Sequence, residues 1–157
     1  MKTLTLLRHA KAEPDSSGGD YKRSLSGRGR SDARRLAQEI RALDLRYDLV
    51  LASPARRVVE TVAEAGGWSA KFDERIYNAA AGELIEIVSE VDDAVDRLLL
   101  VGHNPGLERL AARLTGNAVE QMPTGALVAI ELRENRWRDA GKRKGRLVRL
   151  LRPKDLA

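Results

Sequence analysis

The chain alternates short apolar runs with amphipathic stretches, the pattern of strands and helices taking turns. Leu4, Leu6 and Leu7 anchor a first predicted strand over residues 3 to 7; a second is expected over Asp48–Ala52 and a short third over Ala70–Asp73. Residues 97 to 101 read as the clearest buried strand. Between them, Ala33, Leu36, Ala37 and Ile40 recur at helical spacing in a helix capped by Ser26 and running to about Leu43. Val58, Val59, Val62 and Ala63 mark a second helix ending at Gly66-Gly67, and Leu84, Ile87, Val88 and Val91 a third over residues 81 to 91. Leu107, Leu110, Ala111 and Leu114 mark a fourth, ended near Gly116. Ser53-Pro54 and Asn104-Pro105 each have the form of a helix start, with a capping side chain followed by proline. Ala126–Leu132 and Arg146–Leu151 are two further predicted strands, joined by a basic turn region, that close the sheet as an antiparallel edge.

This order of elements predicts one domain over residues 1–157 and an α/β fold. The expected architecture is a three-layer α/β/α sandwich around a mixed, mostly parallel sheet, with ligands collected beyond the carboxyl ends of the parallel strands.

Composition narrows the picture. A chain of 157 residues, 43% hydrophobic and 32% charged, suits one sizeable core. No apolar run approaches the roughly 20 residues that span a bilayer. Arg8 and His9 interrupt the first apolar run before it reaches signal-peptide length, so the expected compartment is the cytoplasm, with no membrane partner. The absence of cysteine excludes disulfides, thiol nucleophiles and cysteine-based zinc sites. The net charge of +5 is uneven: residues 133 to 154 hold ten Lys or Arg against Glu134 and Asp139. Without interleaved aromatics or a reading helix, that segment reads as a solvated basic surface, and no nucleic-acid partner is expected.

The candidate chemistry lies in two histidines, each directly following a predicted apolar strand: His9 after Leu4–Arg8 and His103 after Leu98–Gly102. A neutral imidazole nitrogen can attack phosphorus and hold the phosphoryl group as a phosphoramidate that water then cleaves. The transferring group carries charge on three oxygens, which guanidinium forks match with paired donors. His9 is therefore the expected nucleophile. Arg8 beside it, Arg56 in the first turn after Ser53-Pro54, and Arg23 after the flexible loop 13–20 are the expected phosphate ligands. His103 is the expected second donor, acting as an imidazolium. Arg57 is equally placed with Arg56 as a surface arginine, and the sequence does not separate the two. A metal site is the rival use of two histidines, but no HxH or HExxH spacing occurs and the arginines would repel a cation. Neither a metal nor another cofactor is expected.

Four segments in order, Leu6-Leu7-Arg8-His9-Ala10, Leu25-Ser26-Gly27-Arg28-Gly29, Ala52-Ser53-Pro54-Ala55-Arg56 and Val101-Gly102-His103-Asn104-Pro105, resemble the histidine phosphatase superfamily. This group is also called phosphoglycerate mutase-like, and the match is to its short SixA-type phosphohistidine phosphatase branch. The resemblance implies a phosphoglycerate mutase-like fold, His9 as phosphoacceptor, Arg8 and Arg56 on the phosphate, and His103 completing the pocket. Arg23 matches the arginine that the SixA-like branch carries before its Leu-Thr/Ser segment. Two departures stand out. Ala10 replaces the usual glycine, which is tolerated where φ is ordinary. Where many members carry a Glu or Asp general acid, this chain has Asn78, with Glu74, Glu83 and Tyr77 as nearby substitutes.

An amide cannot protonate an alkoxide leaving group, whereas the imidazole of phosphohistidine leaves readily. The expected activity is thus hydrolysis of an N–P bond on a phosphohistidine-bearing protein, without metal. A small-molecule nucleotide or sugar phosphomonoesterase, or a degenerate phosphate-binding module, are the alternatives. The oligomeric state stays open.

Overall fold

The computed structural model describes residues 1–156. Six strands form one sheet: β1 (Lys2–Arg8), β2 (Leu49–Ala52), β3 (Lys71–Phe72), β4 (Arg97–Gly102), β5 (Leu127–Leu132) and β6 (Arg146–Leu151). Their order across the sheet is β3-β2-β4-β1-β5-β6. The first four run parallel, whereas β5 is antiparallel to both β1 and β6. The mixed, mostly parallel sheet expected from the sequence is the one observed.

Strand alternation divides the core into two layers. From β1 and β4, Leu4, Leu6, Leu98 and Leu100 face one side, where they meet α3 (Ala81–Ser89) and α4 (Gly106–Thr115) through Leu84, Leu107 and Leu110. Leu7, Leu99 and Val101 face the other side, against Leu36 of α1 (Gly27–Ala42) and Val58 and Val62 of α2 (Arg56–Ala65). Helices on both faces make the three-layer sandwich.

The Ser26 hydroxyl accepts from Gly29 N at 3.1 Å and caps α1 as predicted. Two other predicted starts shift inward. α2 begins at Arg56, with Ala55 as its cap, and α4 at Gly106, with Pro105 as its cap. Ser53 and Asn104 lie two residues and one residue upstream of those caps. Asn104 Nδ2 donates to Met122 O at 2.8 Å, while its Oδ1 accepts from Glu108 N at 3.2 Å.

Gly29 shows how closely α1 meets the chain just after β1. A Cβ there would sit 2.0 Å from Lys11 O, and the same carbonyl accepts from Ser26 N at 2.9 Å. The segment following His9 is thereby clamped to the start of α1.

Candidate active site

The parallel pairing of β1 with β4 aligns Arg8 with Gly102, so the next residue on each strand is a histidine. His9 N donates to Gly102 O at 3.1 Å, and the two imidazole centroids lie 5.5 Å apart. Both side chains are buried, at 7% and 6% exposure. The structure therefore brings together the two rings that the sequence separates by more than ninety positions.

Hydrogen bonds fix the role of each ring nitrogen. His9 Nδ1 lies 2.7 Å from Ala10 O, which can only accept; the proton sits on Nδ1, and Nε2 keeps its lone pair. Burial, with Arg57, Arg8 and Arg23 nearby, lowers the His9 pKa to about 4 against the opposing pull of the Ala10 carbonyl. His9 is thus a neutral ring with a free Nε2 at neutral pH. His103 Nδ1 accepts from Arg57 Nη2 at 3.2 Å, which leaves Nε2–H to donate to Ser53 Oγ at 2.8 Å. Burial first, then Arg57, bring the His103 pKa down to about 3. The imidazolium expected from the sequence is therefore not the form of the free site: desolvation beside a guanidinium disfavours it.

The arginines sort differently from expectation. Arg8 reaches Met122 O with Nη1 at 3.1 Å, and its buried Nε has no partner among the described residues. Arg57, 4% exposed, touches His103, and its Nε is likewise buried and unpartnered. Arg56 does not join them. Its side chain is 58% exposed and pairs with Glu60 at 3.2 Å along the outer face of α2. One residue along a helix rotates the side chain by about 100°, enough to turn Arg56 to solvent and Arg57 inward. Arg57, and not Arg56, lies beside the histidine pair.

Arg23 is in place. Its Nε bonds Asp20 Oδ1 at 3.0 Å and its Nη1 bonds Glu13 O at 2.9 Å, and its charge is felt at both histidines. Asp20 opens a single 3₁₀ turn, Asp20–Lys22, and is the anion of the cluster. Its Oδ2 accepts from Tyr77 OH at 2.6 Å and from Arg57 Nη2 at 3.2 Å, and its carbonyl accepts from Arg57 Nη1 at 2.8 Å. The Tyr77 hydroxyl first, with Arg57 and Arg23, holds the Asp20 pKa at about 2. Tyr77 also stands edge-on to His103, with centroids 5.4 Å apart.

Two further side chains brace the site. Ser53, fully buried, holds His103. Thr61 Oγ1 accepts from Ala10 N at 3.0 Å and donates to Arg57 O at 2.7 Å, tying the nucleophile segment to α2. Ala10 is not among the positive-φ residues, so a methyl group is accommodated there. Asn78 has φ 56°, a left-handed conformation that asparagine tolerates better than most residues, and its side chain is exposed. Glu83 Oε1 accepts from Ala80 N at 2.9 Å at the start of α3, and Glu74 accepts from Tyr21 OH at 3.1 Å. Glu83 is thus engaged at a helix start and Glu74 by a tyrosine hydroxyl. Among the described residues, no three His, Asp or Glu side chains group as metal ligands.

A neutral nucleophilic nitrogen near guanidinium groups whose Nε atoms lack partners among the described residues suits phosphoryl transfer. The chain belongs to the histidine phosphatase superfamily (branch 1), whose family model matches residues 4–91. Within that superfamily it is a phosphatase of SixA type. An uncharacterized protein of Mycobacterium tuberculosis is 35% identical over 144 residues, covering 85% of this chain and 90% of its own. A candidate phosphohistidine phosphatase SixA from Agrobacterium tumefaciens is 26% identical, with a TM-score of 0.81 over 97% of this chain and 98% of its own. The protein histidine phosphatase SixA complexed with tungstate shares the fold at 21% identity, with a TM-score of 0.82 over 98% of each chain.

Two predictions follow from this geometry. Arg57→Ala lowers kcat for p-nitrophenyl phosphate by about 10²- to 10³-fold, whereas Arg56→Ala stays within about twofold; steady-state kinetics of the two variants separates them. Protonation removes the His9 lone pair, so kcat/KM falls as the pH drops through about 4. A pH profile corrected for the ionisation of the substrate checks that midpoint against the ordinary histidine value near 6.5.

Proposed function

We propose that the protein is a phosphohistidine phosphatase, hydrolysing an N–P bond through a covalent intermediate on His9. The observation that carries this reading is the state of the carboxyl beside His103. Asp20, held at about 2 by Tyr77, Arg57 and Arg23, stays ionised at neutral pH and has no proton to give. A sugar or glycerol alkoxide is a poor leaving group that needs such a proton, whereas imidazole departs as a neutral ring once its other nitrogen is protonated.

In this reading His9 Nε2 forms a bond to phosphorus as the substrate N–P bond breaks, and the electron pair leaves with the substrate imidazole. Arg8 and Arg57 meet the equatorial oxygens with the donors that the protein leaves unpartnered, Arg23 adds charge at the loop side, and His103 completes the ring by turning its Nε2–H from Ser53 to an oxygen. Water then attacks the phosphoramidate, releases inorganic phosphate and returns His9 with its lone pair. The Ala10 carbonyl stabilises the proton on Nδ1 throughout. No metal enters any step, and the natural partner is a phosphohistidine-bearing protein.

The test is a substrate panel in the presence of EDTA. A histidine-phosphorylated peptide should exceed nucleotide and sugar phosphate esters in kcat/KM by about 10²-fold or more, the contribution a general acid would otherwise make. His9→Ala should abolish both turnover and the acid-labile phosphoenzyme. A dominant rate on an ester would transfer the assignment to a small-molecule phosphomonoesterase.

A further inference from the structure

The fold splits the basic segment that the sequence singles out. β5 runs away from the catalytic end, with Leu132 opposite Lys2, so the turn after it lies at the far edge of the sheet. There Lys142 pairs with Asp139, Arg143 with Glu134 and Arg146 with Glu131. β6 then returns: Leu151 aligns with Leu127, which aligns with Leu7. Arg152 and Lys154 are thereby delivered to the same end of the sheet as His9.

At that end they wall a pocket of about 250 Å³ together with Lys11 and Arg28. The pocket adjoins the catalytic groove through two short connections. Lys11 follows His9 by two residues. On the other side, Gly125 N donates to both Arg8 O and His9 O, at 3.1 and 2.9 Å, and Pro153 packs where a Gly125 Cβ would lie, at 3.0 Å. The pocket thus borders the segments that carry Arg8 and His9.

The charges of the pocket are unequally committed. Asp32, at its floor, is taken up by Arg35, with Arg28 more loosely at 4.0 Å. Arg152 turns its fork to Asp155, Nε to Oδ2 at 2.9 Å and Nη2 to Oδ1 at 3.3 Å. Lys11 and Lys154 are exposed and make no ion pair among the described residues. The prolines at 123 and 153 offer no N–H, and the Arg152 fork is occupied, so the pocket lacks the converging amides of a phosphate cradle and keeps one exposed guanidinium, Arg28. What it offers is two exposed ammonium groups on long stems and the Arg28 guanidinium, spread around a carboxylate that disfavours a compact dianion. That arrangement suits single carboxylates spaced along a polypeptide.

We propose that this pocket is a docking subsite for acidic side chains flanking the phosphohistidine of a protein substrate, a reading that rests on the phosphohistidine activity proposed above. Lys11 and Lys154 hold those carboxylates while the phosphoryl group enters the histidine pair. The interaction is an exposed one and weakens with added salt.

Two histidine-phosphorylated peptides test it, one with Glu on both sides of the phosphohistidine and one with Gln at the same positions. The wild-type protein should prefer the Glu peptide by about three- to tenfold in kcat/KM, through KM and at low ionic strength. K11Q/K154Q should lose that preference while keeping wild-type rates on the Gln peptide and on p-nitrophenyl phosphate. The K11E/K154E variant should turn the preference toward a Lys-flanked peptide. Equal rates on the two peptides in the wild-type protein, or a preference that survives in K11Q/K154Q, would overturn the subsite. A loss confined to nucleoside diphosphate relative to monophosphate would overturn it too, assigning the lysines to a second phosphate. If p-nitrophenyl phosphate is turned over and neither peptide is, the activity reading fails and takes the subsite with it.

Discussion

Everything at the active end depends on the parallel register of β1 and β4. Because Arg8 sits opposite Gly102, the chain leaves both strands at the same level, and His9 and His103 emerge side by side. A slip of one residue would send alternate side chains to opposite faces, moving Leu4 and Leu6 out of one helical layer and breaking the core with the site. The apolar alternation that builds the sandwich is therefore the same constraint that sets the catalytic pair. β2 joins in the same way: Ala52 lies opposite Val101, which brings Ser53 under His103.

Burial among cations then decides the protonation states. In water an imidazole is half-charged near pH 6.5. Inside this cleft desolvation, with Arg57, Arg8 and Arg23 at His9 and Arg57 and Arg23 at His103, pushes the rings toward the neutral form, to about 4 and about 3. The Tyr77 hydroxyl, with Arg57 and Arg23, outweighs desolvation and holds the Asp20 carboxyl ionised. The site is thus poised for nucleophilic attack by nitrogen and for binding negative oxygens, and is poorly equipped to donate a proton. The division of labour follows from placement alone, since no unusual residue type is present.

Much of this was legible in the sequence, and for definite reasons. Apolar periodicity located the longer strands and the four α-helices because most are buried on one or both faces. Scarcity made the histidines conspicuous, since only two occur and both follow strands. Two kinds of information were harder to extract. Arg56 and Arg57 are adjacent, and strand-end logic cannot distinguish them. Helical phase could have, because Arg57 lies on the buried stripe with Val58, Thr61, Val62 and Ala65, and Arg56 lies off it. Asp20 gave no signal at all. It sits in a Ser- and Gly-rich loop with no periodicity, and its partners Tyr77 and Arg57 are brought to it only by the fold. The cap residues misled for a related reason: Ser53 has the form of a helix start, but its hydroxyl is taken by His103, and α2 begins three residues later.

The most direct measurement of the central claim is a crystal structure of the protein with vanadate, a mimic of the phosphoryl group in flight. The account predicts vanadium bonded to His9 Nε2, with its oxygens contacted by Arg8, Arg57 and His103 and with Arg56 still paired to Glu60 in solvent. Vanadate bound away from His9, or bonded to His103 or held by Arg56, would contradict it.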